Sequence, residues 1–123
     1  MVIDYKKILV KKRYILNKKI LEIVSDFASE AHAKIQTDFA DINPVIGLNL
    51  GMRNVGIPAD AITIDCLKTG KRIIIVLDDR QPGVVQYQFS YKAQDPDEKF
   101  ESLSINDLSS QTLYNWMKDY FKT

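Results

Sequence analysis

Apolar residues first recur at steps of three and four. Leu16, Ile20, Ile23 or Val24, Phe27, Ala31 and Ile35 trace one side of a helix, and the spacing predicts an amphipathic helix over about residues 14–37. The preceding Tyr5 to Val10 is either a short helix of its own or an extension of this one. Asn43-Pro44 closes the connection, because the residue before proline is pushed out of the helical region.

The period then changes to two. In 45–52, Ile46, Leu48, Leu50 and Met52 alternate with small or polar residues, and in 61–67 Ile62, Ile64 and Cys66 alternate with Ala61, Thr63 and Asp65. An unbroken Ile-Ile-Ile-Val-Leu run lies within 71–78, and Val85, Tyr87, Phe89 and Tyr91 mark a fourth strand over 84–92. Thr69-Gly70 and Asp79-Arg80-Gln81-Pro82-Gly83 have the residue types of chain reversals. Gln94 to Lys99 reads as an exposed acidic loop, Phe100 to Ile105 as a short edge strand. A last helix starts near Ser109 or Ser110, with Leu113, Trp116, Met117 and Tyr120 on one face.

Strands joined by short turns, without helices between them, argue for an antiparallel sheet rather than a doubly wound nucleotide-binding fold. The expected architecture is α+β: a four- to five-stranded antiparallel sheet with a long N-terminal and a C-terminal helix on one face, in one domain spanning 1–123. The order α-β-β-β-β-α recurs in small bacterial chaperones, immunity proteins and ligand-binding domains, a likeness of element order that carries no function. Phe27, Ile62, Ile64, Ile75, Tyr87, Phe89 and Trp116 are expected in the core.

Hairpin counting sharpens the sheet. A two-residue Thr69-Gly70 turn would set Cys66 opposite Ile73, Ile64 opposite Ile75, Ile62 opposite Leu77, Asp65 opposite Ile74 and Thr63 opposite Val76. A five-residue turn over 79–83 would bring Gln88 and Gln86 alongside. Ile74 and Val76 then form an apolar strip amid Asp65, Gln86 and Gln88 on the face away from the helices. Such a strip invites a cover: a second copy, another protein, or the N-terminal segment through Ile8 and Leu9.

Composition is that of an ordinary globular chain, 46% hydrophobic and 27% charged, without repeats or low-complexity tracts. The start has no sustained apolar core of a secretory signal, and no apolar run approaches a membrane span, so a cytoplasmic protein without membrane contact is expected. The lone Cys66 cannot form an internal disulfide. The net charge of +1 hides an asymmetry. Residues 1–19 carry Lys6, Lys7, Lys11, Lys12, Arg13, Lys18 and Lys19 against Asp4 alone, a net +6, while the rest of the chain carries −5.

Residues for catalysis are scarce. His32 is the only histidine and lies on the long helix among ordinary surface residues. Cys66 sits with Ile62 and Ile64, where a thiol packs as a small hydrophobe. One His and one Cys cannot build a common zinc site. Asp78-Asp79 could hold Mg²⁺ or act as acid and base, yet consecutive residues of a strand point apart, and the following Arg80, Pro82 and Gly83 mark a turn. Asp65 and Lys68 miss the nuclease (D/E)-x-K spacing by one residue. Gly47, Gly51 and Gly56 fit no phosphate-binding loop.

The reading is a non-enzymatic binding or adaptor domain without a cofactor, acting through protein–protein contacts and self-associating as a homodimer through Asp65, Ile74, Val76, Gln86 and Gln88. The alternative is a nucleic-acid-associated protein using the basic segment at 1–13 with Lys18 and Lys19. A third is a small-molecule site between helix and sheet.

Overall fold

The computed structural model describes residues 4–122. Its elements are α1 (Tyr5–Asp38), β1 (Pro44–Asn49), a one-turn helix α2 (Gly51–Asn54), β2 (Ala59–Cys66), β3 (Lys71–Asp78), β4 (Val84–Tyr91), β5 (Glu101–Ser104), a 3-10 turn (Ile105–Asp107) and α3 (Ser110–Phe121). The five strands form one antiparallel sheet in the order β1-β2-β3-β4-β5, so every neighbour in space is a neighbour in sequence.

The segment from Tyr5 to Val10 is an extension of the long helix. Asp4 starts it, its carboxylate accepting from the Lys6 and Lys7 backbone N–H groups at 3.1 and 3.2 Å. At 34 residues α1 runs about 51 Å, against about 27 Å for an eight-residue strand, so it outreaches the sheet. Its core-facing stripe is Asn17, Ile20, Leu21, Val24, Ala28, Ala31 and Ile35. Leu16, expected on that side, is exposed, Val24 and not Ile23 takes the inward position between Ile20 and Ala28, and Phe27 only borders the core. The correction follows from phase: with Val24 as the inward position, the 3.6-residue period turns Leu16 and Ile23 outward.

Ser109 caps α3 reciprocally with Thr112, each accepting at the other's backbone N–H at 3.2 Å. Both helices close one face of the sheet over Ile62, Ile64, Ile73, Ile75, Leu77 and Val85, with Leu113 and Met117 supplied by α3. The Tyr114 hydroxyl ties α3 to α1 by donating to Asp38 at 2.7 Å, and that bond raises the phenol's pKa.

The β2–β3 register departs from the expected one by two residues. The connection is four residues, Leu67 to Gly70, with Gly70 at φ +74°, so Ile64 pairs with Ile73, Ile62 with Ile75, Thr63 with Ile74 and Asp65 with Arg72. An even shift keeps each side chain on its face. The β3–β4 register is as counted, with Ile74 opposite Gln88 and Val76 opposite Gln86. β1 ends at Asn49, where the Asn49 side chain accepts from the Gly51 N–H and the chain turns into α2. Gly47 lies opposite Thr63, and a Cβ there would come within 2.9 Å of the Thr63 Oγ1.

Tyr87, Phe89 and Trp116 are less buried than expected. Trp116 stacks on Tyr87 with centroids 4.3 Å apart and meets Phe89 edge-on at 5.7 Å, yet Phe89 remains 43% exposed. β5 pairs only as far as Tyr87, so the outer end of β4 lacks a neighbour beside these rings.

Candidate functional site

The most polar part of the interior lies where α1 crosses the end of the sheet. Asp60 at the start of β2 and Asp79 just past β3 alternate in phase with Ile62 and Leu77, so both carboxylates point to the helix side. Arg53 on α2 bridges them. Its Nε and Nη2 donate to Asp60 at 2.7 and 3.0 Å, and its Nη1 and Nη2 donate to Asp79, both at 2.8 Å. The Asn17 amide adds a bond to Asp79 at 3.0 Å, and Lys18 reaches Asp60 at 3.3 Å. Asp60 is fully buried, and no buried side-chain polar atom among the described residues lacks a partner.

Burial pushes the Asp60 carboxyl up, but the hydrogen bonds and charge of Arg53, with Lys18, outweigh it and hold it below the ordinary carboxylate range. Arg53 is correspondingly raised by its hydrogen bonds to Asp79 and then Asp60. Held as ion pairs, these groups lock α2, α1 and the sheet end together and offer no free acid or base.

A cleft of about 480 Å³ opens above this network, lined by Lys6, Lys7, Val10, Lys11, Tyr14, Arg53, Pro58 and Asp79. The Arg53 guanidinium lies 5.0 Å from the Tyr14 ring centre. One side of the first three turns of α1 thus borders the body, while their apolar side chains stay open to solvent. Tyr5, Ile8, Leu9, Val10, Tyr14, Ile15 and Leu16 are all exposed there, and Lys6, Lys7, Lys11, Lys12 and Lys19 have no ion-pair partner among the described residues. Arg13 is half-buried, lining a small pocket with Val10, Pro58, Asp79 and Arg80, and Lys18 is taken by Asp60.

The far face of the sheet is more closed within one chain than the register alone suggests. Asp65 is buried and held by Arg72 through two bonds of 2.6 and 2.9 Å. The Gln88 side chain donates to the Asp97 and Lys99 carbonyls at 3.0 and 2.8 Å and accepts from the Asp97 N–H, so the acidic loop is pinned across this face. Ile74, beside Gln88, is 6% exposed, while Val76 and Gln86 stay partly open. Ile8 and Leu9 remain exposed on α1, so these two residues do not supply the cover.

Asp78 and Asp79 diverge. Asp78 accepts from the Arg80 N–H and side chain, hydrogen bonds that lower its pKa, while Asp79 turns inward to Arg53. His32 donates from Nε2 to the Pro44 carbonyl at 2.8 Å, fastening α1 to β1. Cys66 is buried with the core. Among the described residues no group of three or more His, Cys, Asp or Glu could hold a metal, and no helix is long and apolar enough to cross a membrane.

The Asn17–Arg53–Asp60–Asp79 network was not anticipated. Two signals pointed to it: Asn17 interrupts the inward stripe ahead of Leu21 and Val24, and Asp60 continues the inward phase of Ile62 and Ile64. The chain matches no family model, and no curated protein or solved structure resembles it at a significant level.

Proposed function

We propose that the protein is a non-enzymatic binding module acting through protein–protein contacts, and that its contact surface is the projecting part of α1 rather than the far sheet face. The observation that carries this reading is the run of exposed apolar side chains Tyr5, Ile8, Leu9, Ile15 and Leu16 on a capped, continuous helix. A monomeric surface seldom gathers that many apolar residues on one rigid element without a use. Ion pairing of the best acids and the structural bond of His32 favour binding over catalysis.

A photo-reactive residue at Leu9, with a control at Glu98 on the acidic loop, tests the reading in living cells. Protein adducts from position 9 and none from 98 are expected; no adduct from position 9 would overturn it. His32→Ala and Cys66→Ser should leave binding within a few-fold.

A second reading is favoured by Lys6, Lys7, Lys11 and Lys12, which have no ion-pair partner among the described residues and suit a polyanion. Nucleic-acid binding that weakens steeply between low and moderate salt would support it, and no binding at low salt would remove it.

A further inference from the structure

We infer that the occupant of the outer face of α1 is a second copy of this chain, its α1 lying antiparallel. This rests on the protein-binding reading above. Tyr5, Leu9, Lys12, Leu16, Lys19, Ile23, Asp26 and Glu30 follow one another at alternating steps of four and three, and all eight are exposed. That alternation is the spacing of a two-helix seam, and it runs about 120° around the helix from the buried Val24, Ala28, Ala31 and Ile35. α1 therefore carries two stripes, one spent on the sheet and one unspent.

Charge selects the partner and its direction. The seam's charged positions are basic in the first half, Lys12 and Lys19, and acidic in the second, Asp26 and Glu30. The halves as a whole differ the same way: residues 1–19 are net +6, and residues 20–38 hold Glu22, Asp26, Glu30 and Asp38 against Lys34, a net −3. A parallel pair would stack Lys12 on Lys12, Lys19 on Lys19 and Asp26 on Asp26. An antiparallel pair with Tyr5 opposite Glu30 gives the layers Leu9 with Asp26, Lys12 with Ile23 and Leu16 with Lys19. No single layer then sets like charges opposite each other, the two Lys19 copies being offset by three residues, and the lysine stems lie along apolar neighbours with their ammonium groups in water. A nucleic acid or anionic membrane would be attracted by the first half of this face and repelled by Asp26 and Glu30 on its second half. A second copy matches both.

Light scattering over a concentration series should give twice the chain mass, and Leu9→Asp with Leu16→Asp, both at exposed positions, should weaken association at least about 30-fold, the loss of one strong interface anchor. Disulfide trapping reads the direction without depending on that variant. Leu16→Cys should link to itself, its two copies lying three residues, about 4.5 Å, apart along the axis. Tyr5→Cys and Glu30→Cys should each fail to self-link, their copies being 25 residues, about 37 Å, apart, yet should link when mixed. A wild-type chain that stays monomeric at every concentration, or Tyr5→Cys that links to itself, would overturn the pairing. Position-9 adducts to a different protein, with a monomeric chain, would leave the binding reading standing without this inference. No adducts at all would remove both.

Discussion

The two parts of α1 share one helix and little else. From Ile20 to Ile35 the inward positions are apolar and closed off against the sheet and α3, whereas from Tyr5 to Leu16 apolar side chains are as frequent but remain open. Helix formation and burial are thus separable here. The Asp4 cap and backbone continuity extend the helix past its buried stripe, and sequence periodicity alone does not say which of two stripes finds the sheet.

The boundary between the parts is where a change should cost most. Arg53→Ala would leave the buried Asp79 without a cation and Asp60 with Lys18 alone, an expected loss of about 3 to 5 kcal/mol in denaturant titration. A loss below about 1 kcal/mol would mean the carboxylates find water or protons cheaply. Ile35→Ala, in the packed part, should cost about 2 to 5 kcal/mol, whereas Leu9→Ala, at 46% exposure, should stay within about 0.5 kcal/mol measured on dilute monomer. Equal losses at 35 and 9 would erase the distinction. Trp116→Ala, removing a half-buried ring, should fall between, at about 1 to 2 kcal/mol.

Acid should act on the same boundary. The Asp60 carboxyl is depressed in the folded chain, so the unfolded chain takes up its proton first as pH falls. Its stabilising contribution is full above the ordinary aspartate value of about 3.9 and is lost as pH falls below that toward the folded value. Melting at descending pH should show this loss in the native chain and a smaller one in Asp60→Asn with Arg53→Met.

The sheet was legible because strand parity survives errors of two. Reading Thr69-Gly70 as a complete turn misplaces each β2–β3 pair, yet Ile62, Ile64, Ile73 and Ile75 still face the helices, and Gln88 still neighbours Ile74. The helix was less forgiving, since at 3.6 residues per turn the open choice between Ile23 and Val24 is a rotation of the inward face by about 100°. The polar network was hidden for a different reason. Arg53, Asp60 and Asp79 come from three elements, and only the pairing of β2 with β3 sets Asp60 beside Leu77 and so close to Asp79. The pinning of Asp97 and Lys99 by Gln88 likewise depends on a loop path that composition leaves open.

The stacking of Trp116 on Tyr87 gives the molecule a built-in optical reporter with a narrow field of view. Trp116 is the chain's sole tryptophan, and its ring senses the seating of α3 on β4. Far-ultraviolet circular dichroism is dominated instead by α1, with 34 helical residues against 12 in α3. The two signals therefore watch opposite ends of the structure. Fraying of the α1 arm lowers ellipticity while tryptophan emission stays constant, and peeling of α3 reddens emission with little change in ellipticity.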